Sequence, residues 1–552
     1  MNFKKWIALL LAVLMLLGCL TACGKSKETV KDPAEPAASE NGKDAEAAES
    51  EDTEAAADAE APANDAKKIL RVSSAYDFKS AMEGKTLVYE NLVKSDMAGN
   101  FSPWLAEEYT VSDDGMVYTF KLREGITYHD GTPFNAETAK YSLDFACQNS
   151  VLGNYVESVN VIDANTVEMV LHTYLATVLN MLSGTSALMI CEADVNEENK
   201  LTGFIGTGAF IFREDTYDKN VRADLVRNDN YWDGVPALDG IEWLCIPDPN
   251  AMVVALESDE VDVIGITEHH SSIPYVQISA LRDKGFTVQT DETGRYQVLE
   301  YNCTKAPFDD VRVRMAFNLA FNREEMVETL FEGMTEPANV ITAPWFVGGP
   351  DNVDEDYYKY DPDRAAALLD EAGWIDSDGD GIREKDGETL HVTLLAPNGE
   401  ANADSVAVYL QAELMKIGAE VEVKNLESSA ASALKEAGDY DMYVHHSFCL
   451  PDYPGGINIG GKYDSSNQSW PYSFHSEELD AMIQEAFTNP DEESREAQID
   501  NIWTYLHEQA PCLTLYSVKK LVAMNPRVTG YHVGSNMFDM SMIKDMDIDL
   551  SK

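Results

Sequence analysis

Residues 66–552 form one long stretch in which strand-like and helix-like patterns alternate. A single hydrophobic core rarely supports so many residues, so two or three lobes are expected. Residues 117–122 alternate apolar and polar side chains, which predicts a strand. Residues 136–145, capped by Asn135, and residues 362–372, which begin with proline and end before a glycine, predict helices. This alternation predicts an α/β fold.

The first residues have the pattern of an export signal. Two lysines precede an apolar run, Trp6–Leu17, which is too short to span a bilayer. Leu20-Thr21-Ala22-Cys23 follows and resembles the bacterial lipobox, in which the cysteine is lipidated and becomes the mature N-terminus. A second match ends at Cys19, but Cys23 leaves the longer apolar run and precedes a polar stretch. We therefore predict a signal peptide over 1–22 and a lipid on Cys23; a freely secreted protein is the alternative.

The residues after this cysteine have the composition of a flexible tether. Residues 25–65 hold thirteen acidic residues, four lysines and one large aliphatic residue, Val30. Such a segment buries too little apolar surface to offset the entropy of ordering it, which predicts disorder. A flexible coil of this length spans roughly 35 Å. Residues 23–65 are therefore predicted to be a lipidated cysteine and a disordered acidic tether that holds residues 66–552 off a membrane.

The formal charge limits the classes of partner. The whole chain carries −55, the signal contributes +2 and the tether −9, so −48 belongs to residues 66–552. A field of this sign repels nucleic acid and anionic lipid, so no nucleic-acid partner is expected. No later run of eighteen apolar residues occurs, and the six later cysteines lack metal-site spacing.

Motifs of catalysis and cofactor binding are incomplete. Gly84-Lys85-Thr86 imitates the end of a phosphate-binding loop, but Lys79 stands where the first glycine is needed. Gly206-Thr207-Gly208 begins a dinucleotide fingerprint whose third glycine is replaced by Ile211. The zinc-protease HExxH and the hydrolase GxSxG are missing. We predict a binding protein without a cofactor, not an enzyme; a secreted hydrolase that uses scattered carboxylates is the alternative from another class.

Four groups of short segments occur one after another along residues 66–552. They are Tyr89–Val93 with Pro103–Glu107, Thr119–Gly125 and His129–Phe134; Gly206–Phe210 with Asn228–Gly234; Phe308–Ala316; and Tyr360–Pro362 with Glu371–Trp374. Together, and in this order, they resemble the extracellular solute-binding proteins, family 5, of peptide, nickel and opine ABC importers.

The resemblance implies a type II periplasmic-binding-protein-like fold, with two hinged α/β lobes, an extra domain and a ligand cleft between the lobes. The implied boundaries are lobe I over 66–100, 207–302 and 515–552, the extra domain over 101–206 and lobe II over 303–514. The implied function is that of a substrate-binding lipoprotein on the extracellular face of the bacterial membrane. It would capture a small solute, expected to be an oligopeptide or dipeptide, for the permease subunits of an ABC transporter.

The resemblance also implies candidate ligand contacts in the window 445–454. In peptide-binding relatives the matching segment is an aromatic residue followed by an aspartate that receives the α-ammonium group of the peptide. Here Phe448, Asp452 and Tyr453 match that pattern. An aspartate that caps the turn before Pro454 is the alternative reading.

Nickel-binding relatives have a similar window, so a metal chelate is the second candidate ligand. His445 and His446 are its candidate contacts, although adjacent residues of a strand face opposite sides. The apolar stretch 187–190 offers no counterpart to the cleft arginines of those relatives. Tyr76 and Asp77, after the first strand-like run, occupy a region that lines the cleft in the family.

The segment Asp376-Ser377-Asp378-Gly379-Asp380-Gly381 has the acidic start of a calcium loop. The glutamate required at the twelfth position is replaced by Gly387. A solvated turn explains this composition without an ion, and no metal is expected.

Overall fold

The computed structural model describes residues 67–96, 98–267, 273–344, 349, 352–398, 402–446, 459–466, 470–534 and 538–552. The chain divides into two units, Met1–Asn64 and Asp65–Lys552, and every described residue lies in the second. None of the helices in these ranges is both long enough and apolar enough to cross a membrane.

The local elements predicted from the sequence are confirmed. Residues 117–122 form a strand, and the predicted helices occupy Ala136–Asn149 and Pro362–Glu371. The Asn135 side chain accepts hydrogen bonds from the backbone N–H groups of Glu137 and Thr138, which satisfies donors that the first helical turn leaves free.

Strands and helices alternate along the described chain. The strands are β1 Ile69–Ser74, β2 Val93–Ser95, β3 Phe101–Pro103, β4 Ala106–Val111, β5 Val117–Leu122, β6 Val156–Asp163, β7 Thr166–Leu171, β8 Phe210–Phe212, β9 Arg222–Arg227, β10 Gly240–Cys245, β11 Val263–Ile264, β12 Thr287–Tyr301, β13 Glu384–Lys385, β14 Glu388–Thr389, β15 His391–Pro397, β16 Glu420–Leu426, β17 Met442–His446, β18 Cys512–Met524, β19 Val528–Thr529 and β20 Asp547–Ile548. The α-helices are Met82–Thr86, Ala136–Asn149, Val178–Ser183, Pro249–Glu257, Ile278–Asp283, Val311–Ala320, Arg323–Phe331, Pro362–Glu371, Ala403–Met415, Ser428–Ala437, Gly461–Tyr463, Glu477–Phe487 and Glu492–Gln509.

Ten of these strands form one mixed sheet in the order β16-β15-β17-β12-β18-β11-β1-β10-β9-β8. The long antiparallel pair β12–β18 joins a first half, which contains β11, β1, β10, β9 and β8, to a second half, which contains β17, β15 and β16. The register of this pair shifts between Glu292 and Arg295, where a β-bulge adds residues to β12. Strands β4, β5, β7 and β6 form a separate antiparallel sheet.

Three large groups of buried apolar residues fill the described chain. One packs around Trp243 in the first half of the sheet, and a second packs around Phe317 in the second half. The third combines Phe120 of the four-stranded sheet with Trp503 of the helix Glu492–Gln509. The four-stranded sheet therefore shares a hydrophobic core with helices that come after β17 in the sequence. The lobe boundaries proposed from the sequence stay a prediction.

Segments of the first two landmark groups, in the ranges 89–107 and 206–234, meet at one buried carboxylate, that of Glu90. Its Oε1 accepts hydrogen bonds from Trp104 Nε1 at 2.8 Å and from the Tyr231 hydroxyl at 2.8 Å. Its Oε2 accepts from the Thr207 hydroxyl at 2.8 Å and from Trp232 Nε1 at 3.0 Å. Burial raises the pKa of Glu90, and the hydrogen bonds from Trp232, Thr207 and Tyr231 partly oppose that rise. One side chain thus holds together segments that are distant in sequence. These segments therefore have a structural role in the fold.

Close packing at this junction of segments around Glu90 requires glycine at positions 206 and 208. A Cβ on Gly206 would lie 1.9 Å from the carbonyl oxygen of Val88, and a Cβ on Gly208 would lie 2.8 Å from that of Leu87. Only glycine lets the two backbones approach this closely. The glycine pair is therefore a packing feature and not part of a nucleotide site.

Candidate functional site

A cleft of about 1700 Å³ lies where strands from both halves of the large sheet end. Residues directly after β1, β10, β15 and β16 border it, together with the end of β17. In open α/β sheets, ligands bind outside the carboxyl ends of the strands. This cleft is therefore the candidate functional site.

Tyr443, His445 and Trp470 form an aromatic part of the cleft wall, and two lysines lie against the Trp470 ring. The Trp470 ring lies 4.4 Å from the His445 ring and 6.5 Å from the Tyr443 ring, centroid to centroid. Lys435 Nζ lies 3.8 Å from the Trp470 ring centroid and Lys462 Nζ lies 5.8 Å from it, within the range of cation–π attraction. We call these five residues the Trp470 cluster.

His445 is neutral in this environment. Burial lowers the pKa of its imidazole well below the ordinary value, and the nearby cations Lys462, Arg295 and Lys435 lower it further. Its Nδ1 lies 2.6 Å from the carbonyl oxygen of His446, which can only accept a hydrogen bond. The proton is therefore on Nδ1, and Nε2 carries a lone pair able to accept a hydrogen bond or bind a metal ion.

His446 contacts both the cleft and a second, smaller cavity. That cavity has a volume of about 20 Å³ and is lined by Val444, Leu515 and apolar residues of the helix Ala403–Met415. Successive side chains of β17 face opposite sides of the sheet. Tyr443 and His445 therefore contact Trp470, whereas Val444 and His446 line the small cavity. His446 also borders the cleft, so both histidines reach it.

Tyr76 and Asp77 border the cleft from the first half of the sheet. Tyr76 is 37% exposed, which makes it accessible to a ligand. Asp77 is buried, and its carboxylate accepts hydrogen bonds from the Tyr217 hydroxyl at 2.9 Å and from the Asn220 backbone N–H at 2.8 Å. These bonds tie Asp77 to its own half of the sheet and favour a role in shaping the cleft wall.

Four of the predicted site residues lie outside the described residues: Cys23, Phe448, Asp452 and Tyr453. The segment 447–458 follows His446 directly in sequence, and His446 borders the cleft. The contacts assigned to these residues stay predictions.

Sequence reasoning missed a cationic residue of the cleft, Arg295. It lies on β12 directly after the bulge, borders the cleft and is 4% exposed. Residues 187–190, which correspond to the cleft arginines of nickel-binding relatives, are apolar and buried. The cation comes instead from the strand that joins the two halves of the sheet. An arginine directly after Gly294 in the interior of a strand was the available signal.

A cluster of exposed carboxylates lies far along the chain from these residues. Ligand oxygens of Asp376, Asp378, Asp380 and Glu384 all lie within 4.8 Å of one another, the arrangement a divalent cation would require. Both Asp376 oxygens accept backbone hydrogen bonds, from Gly379 at 2.7 Å and from Gly381 at 3.1 Å. These bonds account for the turn without an ion.

Comparison with known proteins places the chain among transport proteins. The family profile described as bacterial extracellular solute-binding proteins, family 5 Middle, matches residues 100–466. The nickel-binding periplasmic protein of Escherichia coli K12 is 28% identical over 460 residues, which cover 81% of this chain and 87% of that protein. The glutathione-binding protein GsiB of the same strain is 27% identical over 474 residues, covering 81% and 86%.

The structure of the oligopeptide-binding protein AppA from Bacillus subtilis, in complex with a nonapeptide, superposes with a TM-score of 0.76 at 25% identity. The match covers 87% of this chain and 98% of AppA. These similarities confirm the predicted α/β, two-lobed fold of periplasmic binding proteins.

Proposed function

Because this chain belongs to the bacterial extracellular solute-binding proteins of family 5, we propose that it captures a short peptide for import by an ABC transporter. The observation that carries the proposal is the cleft bordered by both halves of the large sheet. A ligand that contacts both halves stabilises the closed form relative to the open form. The closed form is then what the permease subunits recognise.

The chain binds its ligand without changing it chemically. Members of its family are substrate-binding transport proteins. Two titratable groups that border the described cleft also fit binding better than catalysis. The buried Glu90 carboxylate is engaged by four donors, and the neutral His445 has its Nδ1 fixed on a backbone carbonyl. A hydrolase would need a general base in reach of a water or nucleophile.

The peptide is held by its ammonium group, which Asp452 receives. Phe448 and Tyr453 flank this carboxylate in sequence and supply apolar contact to the peptide backbone, and Tyr76 contacts the ligand from the opposite half. A carboxylate in a dehydrated cleft gives strong and oriented recognition of an ammonium group. The acidic character of residues 66–552 further favours a cationic group over an anionic chelator.

Replacing Asp452 tests this assignment. An Asp452→Asn variant should bind short peptides about 2 to 5 kcal/mol more weakly, the usual cost of breaking a desolvated charge pair. His445→Ala and His446→Ala should change peptide affinity much less. Isothermal calorimetry with a small library of dipeptides to tetrapeptides measures these differences; undiminished affinity of the Asp452→Asn variant would refute the ammonium contact.

A nickel or other metal chelate is the second candidate ligand. The neutral His445, which borders the cleft, is the specific observation in its favour, since neutral imidazole is a common metal ligand. Calorimetry with nickel in the presence of histidine separates the two ligands. Tight nickel-dependent binding that survives Asp452→Asn and disappears with either histidine variant would replace the peptide by the chelate.

The protein acts at the extracellular face of the bacterial membrane, anchored through a lipid on Cys23. The lipobox and the acidic tether behind it support this anchor. A Cys23→Ser variant expressed in the native cell should be released from the membrane fraction. Retention at the original level would contradict the lipid anchor.

A further inference from the structure

A second cavity, separate from the cleft, lies at the start of the helix Val311–Ala320. It has a volume of about 350 Å³ and is bordered by residues of that helix, of the loop before it and of the segment 471–475. It shares no bordering residue with the cleft. A cavity of this size can hold a small molecule, and the function proposed above makes no use of it.

Arg314 brings a positive charge to this cavity. The residue is 2% exposed, and its Nε and Nη1 donate hydrogen bonds to the carbonyl oxygens of Gln509 at 2.9 Å and Phe308 at 2.7 Å. The Phe474 ring centroid lies 5.6 Å from the guanidinium carbon. These contacts hold the guanidinium in place, while its Nη2 makes no hydrogen bond to any residue that the structure describes. A fixed guanidinium with a donor group left over favours an anion in the cavity.

Two more donors at the cavity lack an acceptor among the described residues. One is the N–H of Val311, the first residue of the helix, because the Asp310 side chain accepts from the N–H of Arg312 instead. The helix dipole adds partial positive charge at this end. The other is the hydroxyl of Ser473, a residue that is 3% exposed. Together with Arg314, these donors suit a carboxylate.

The cavity also has one carboxylate of its own, that of Asp309. This residue is exposed and forms no ion pair with a described residue. The neighbouring Asp310 is neutralised by Arg312, at 2.5 Å. Both ring nitrogens of His475 lie against backbone carbonyl oxygens and are therefore engaged. A ligand that carries an ammonium group as well as a carboxylate would match both kinds of charge.

We propose that this cavity binds a free α-amino acid. Its carboxylate accepts hydrogen bonds from Arg314, Val311 and Ser473, and its ammonium group lies near Asp309. The Phe474 ring, which also borders the cavity, offers apolar contact to the side chain of the amino acid. The site is separate from the cleft, so the inference holds whether the cleft takes a peptide or a metal chelate.

Three small molecules that differ in charge test the proposal. Isothermal calorimetry on the full chain compares L-alanine with L-alaninamide, which lacks the carboxylate, and with propionate, which lacks the ammonium group. Alanine should bind about 10-fold or more tightly than either, because each of the others leaves one charged group of the cavity without its partner. An Asp309→Asn variant should reduce the advantage of alanine over propionate and keep its advantage over alaninamide.

Val311→Pro removes one donor with little effect on the helix. Proline is favoured at the first helical position, and Asp310 before it already has the extended backbone that proline requires. The variant should bind alanine about 10-fold more weakly, since it loses a hydrogen bond to a charged group. Glu492→Pro is the matched control. Glu492 begins the helix Glu492–Gln509 after an extended Asp491 and lies at the opposite end of that helix from Gln509, so alanine affinity should stay unchanged.

Three results would overturn the proposal: no binding of alanine by the wild type, equal binding of the three molecules, or undiminished alanine affinity in Val311→Pro. If Val311→Pro does not fold, Ser473→Ala decides the question, because it removes a hydroxyl that has no partner among the described residues and should weaken alanine binding by about 3-fold or more. Peptide affinity should be the same in Val311→Pro as in the wild type. A parallel loss of peptide affinity would place both ligands in one site and contradict a separate amino-acid site.

Discussion

A Glu90→Leu variant is expected to lose about 4 kcal/mol or more of its free energy of unfolding. Four donors, from Trp104, Thr207, Tyr231 and Trp232, point at the Glu90 carboxylate, and leucine would leave all of them without their acceptor. Each buried donor left unsatisfied costs about 1 to 3 kcal/mol. Because whole proteins are stable by about 5 to 15 kcal/mol, this loss approaches unfolding. Urea denaturation followed by circular dichroism measures it.

Two further variants show whether the hydrogen bonds are responsible. Glu90→Gln keeps the shape but presents an amide NH₂ where an oxygen accepted, so it should lose less stability than Glu90→Leu. Glu107→Leu is the surface control, because Glu107 forms an exposed ion pair with Lys121 at 3.2 Å. It should change stability by about 0.5 kcal/mol or less. Similar losses in Glu90→Leu and Glu107→Leu would show that the carboxylate does not organise the junction.

Removing Lys462 should be nearly as damaging, since it isolates the carboxylate of Glu300. Both side chains are almost fully buried, and the Lys462 ammonium contacts Glu300 Oε1. Breaking one partner of a buried pair costs about 3 to 5 kcal/mol. A Lys462→Met variant should lose stability by this amount at neutral pH, measured by urea denaturation.

The pH dependence and a double variant distinguish lost charge pairing from lost packing. Burial raises the pKa of Glu300, and Lys462 opposes that rise, so Lys462→Met should raise the pKa further. A raised carboxylate pKa means that, above the unfolded pKa, the folded chain binds a proton which the unfolded chain lacks. The deficit relative to the wild type should therefore shrink as the pH falls through the raised pKa of the variant. The double variant Lys462→Met, Glu300→Met should recover most of the stability at neutral pH. A double variant as unstable as the single one would assign the loss to packing.

The sequence predicted the fold well because its signals are local or ordered along the chain. The cap at Asn135 and the proline that begins the helix at Pro362 act on the adjacent turn, so their outcome needs no tertiary information. The landmark segments predicted the family, but they did not reveal why they occur. That Glu90 accepts from residues up to 142 positions away became visible only when the chain was folded.

The sequence predicted less of the candidate site than of the fold, because contacts between distant residues place part of the site. His445 and His446 were found because adjacent histidines are conspicuous, and β17 carries both to the cleft. Arg295 was missed because its place depends on a bulge in a long strand and on the pairing of that strand with both halves of the sheet. Trp470 was missed because nothing near it in sequence predicts its contact with His445, 25 residues earlier.

The most direct test of the proposed function is the chemical identity of what the protein retains. The purified full chain is incubated with an equimolar mixture of short peptides and with nickel and histidine, then desalted and denatured. Mass spectrometry and metal analysis identify the released ligand. We predict a peptide of unchanged mass with a free amino terminus. Recovery of nickel with its chelator, of peptide fragments that carry an added water, or of no ligand would contradict the proposed function.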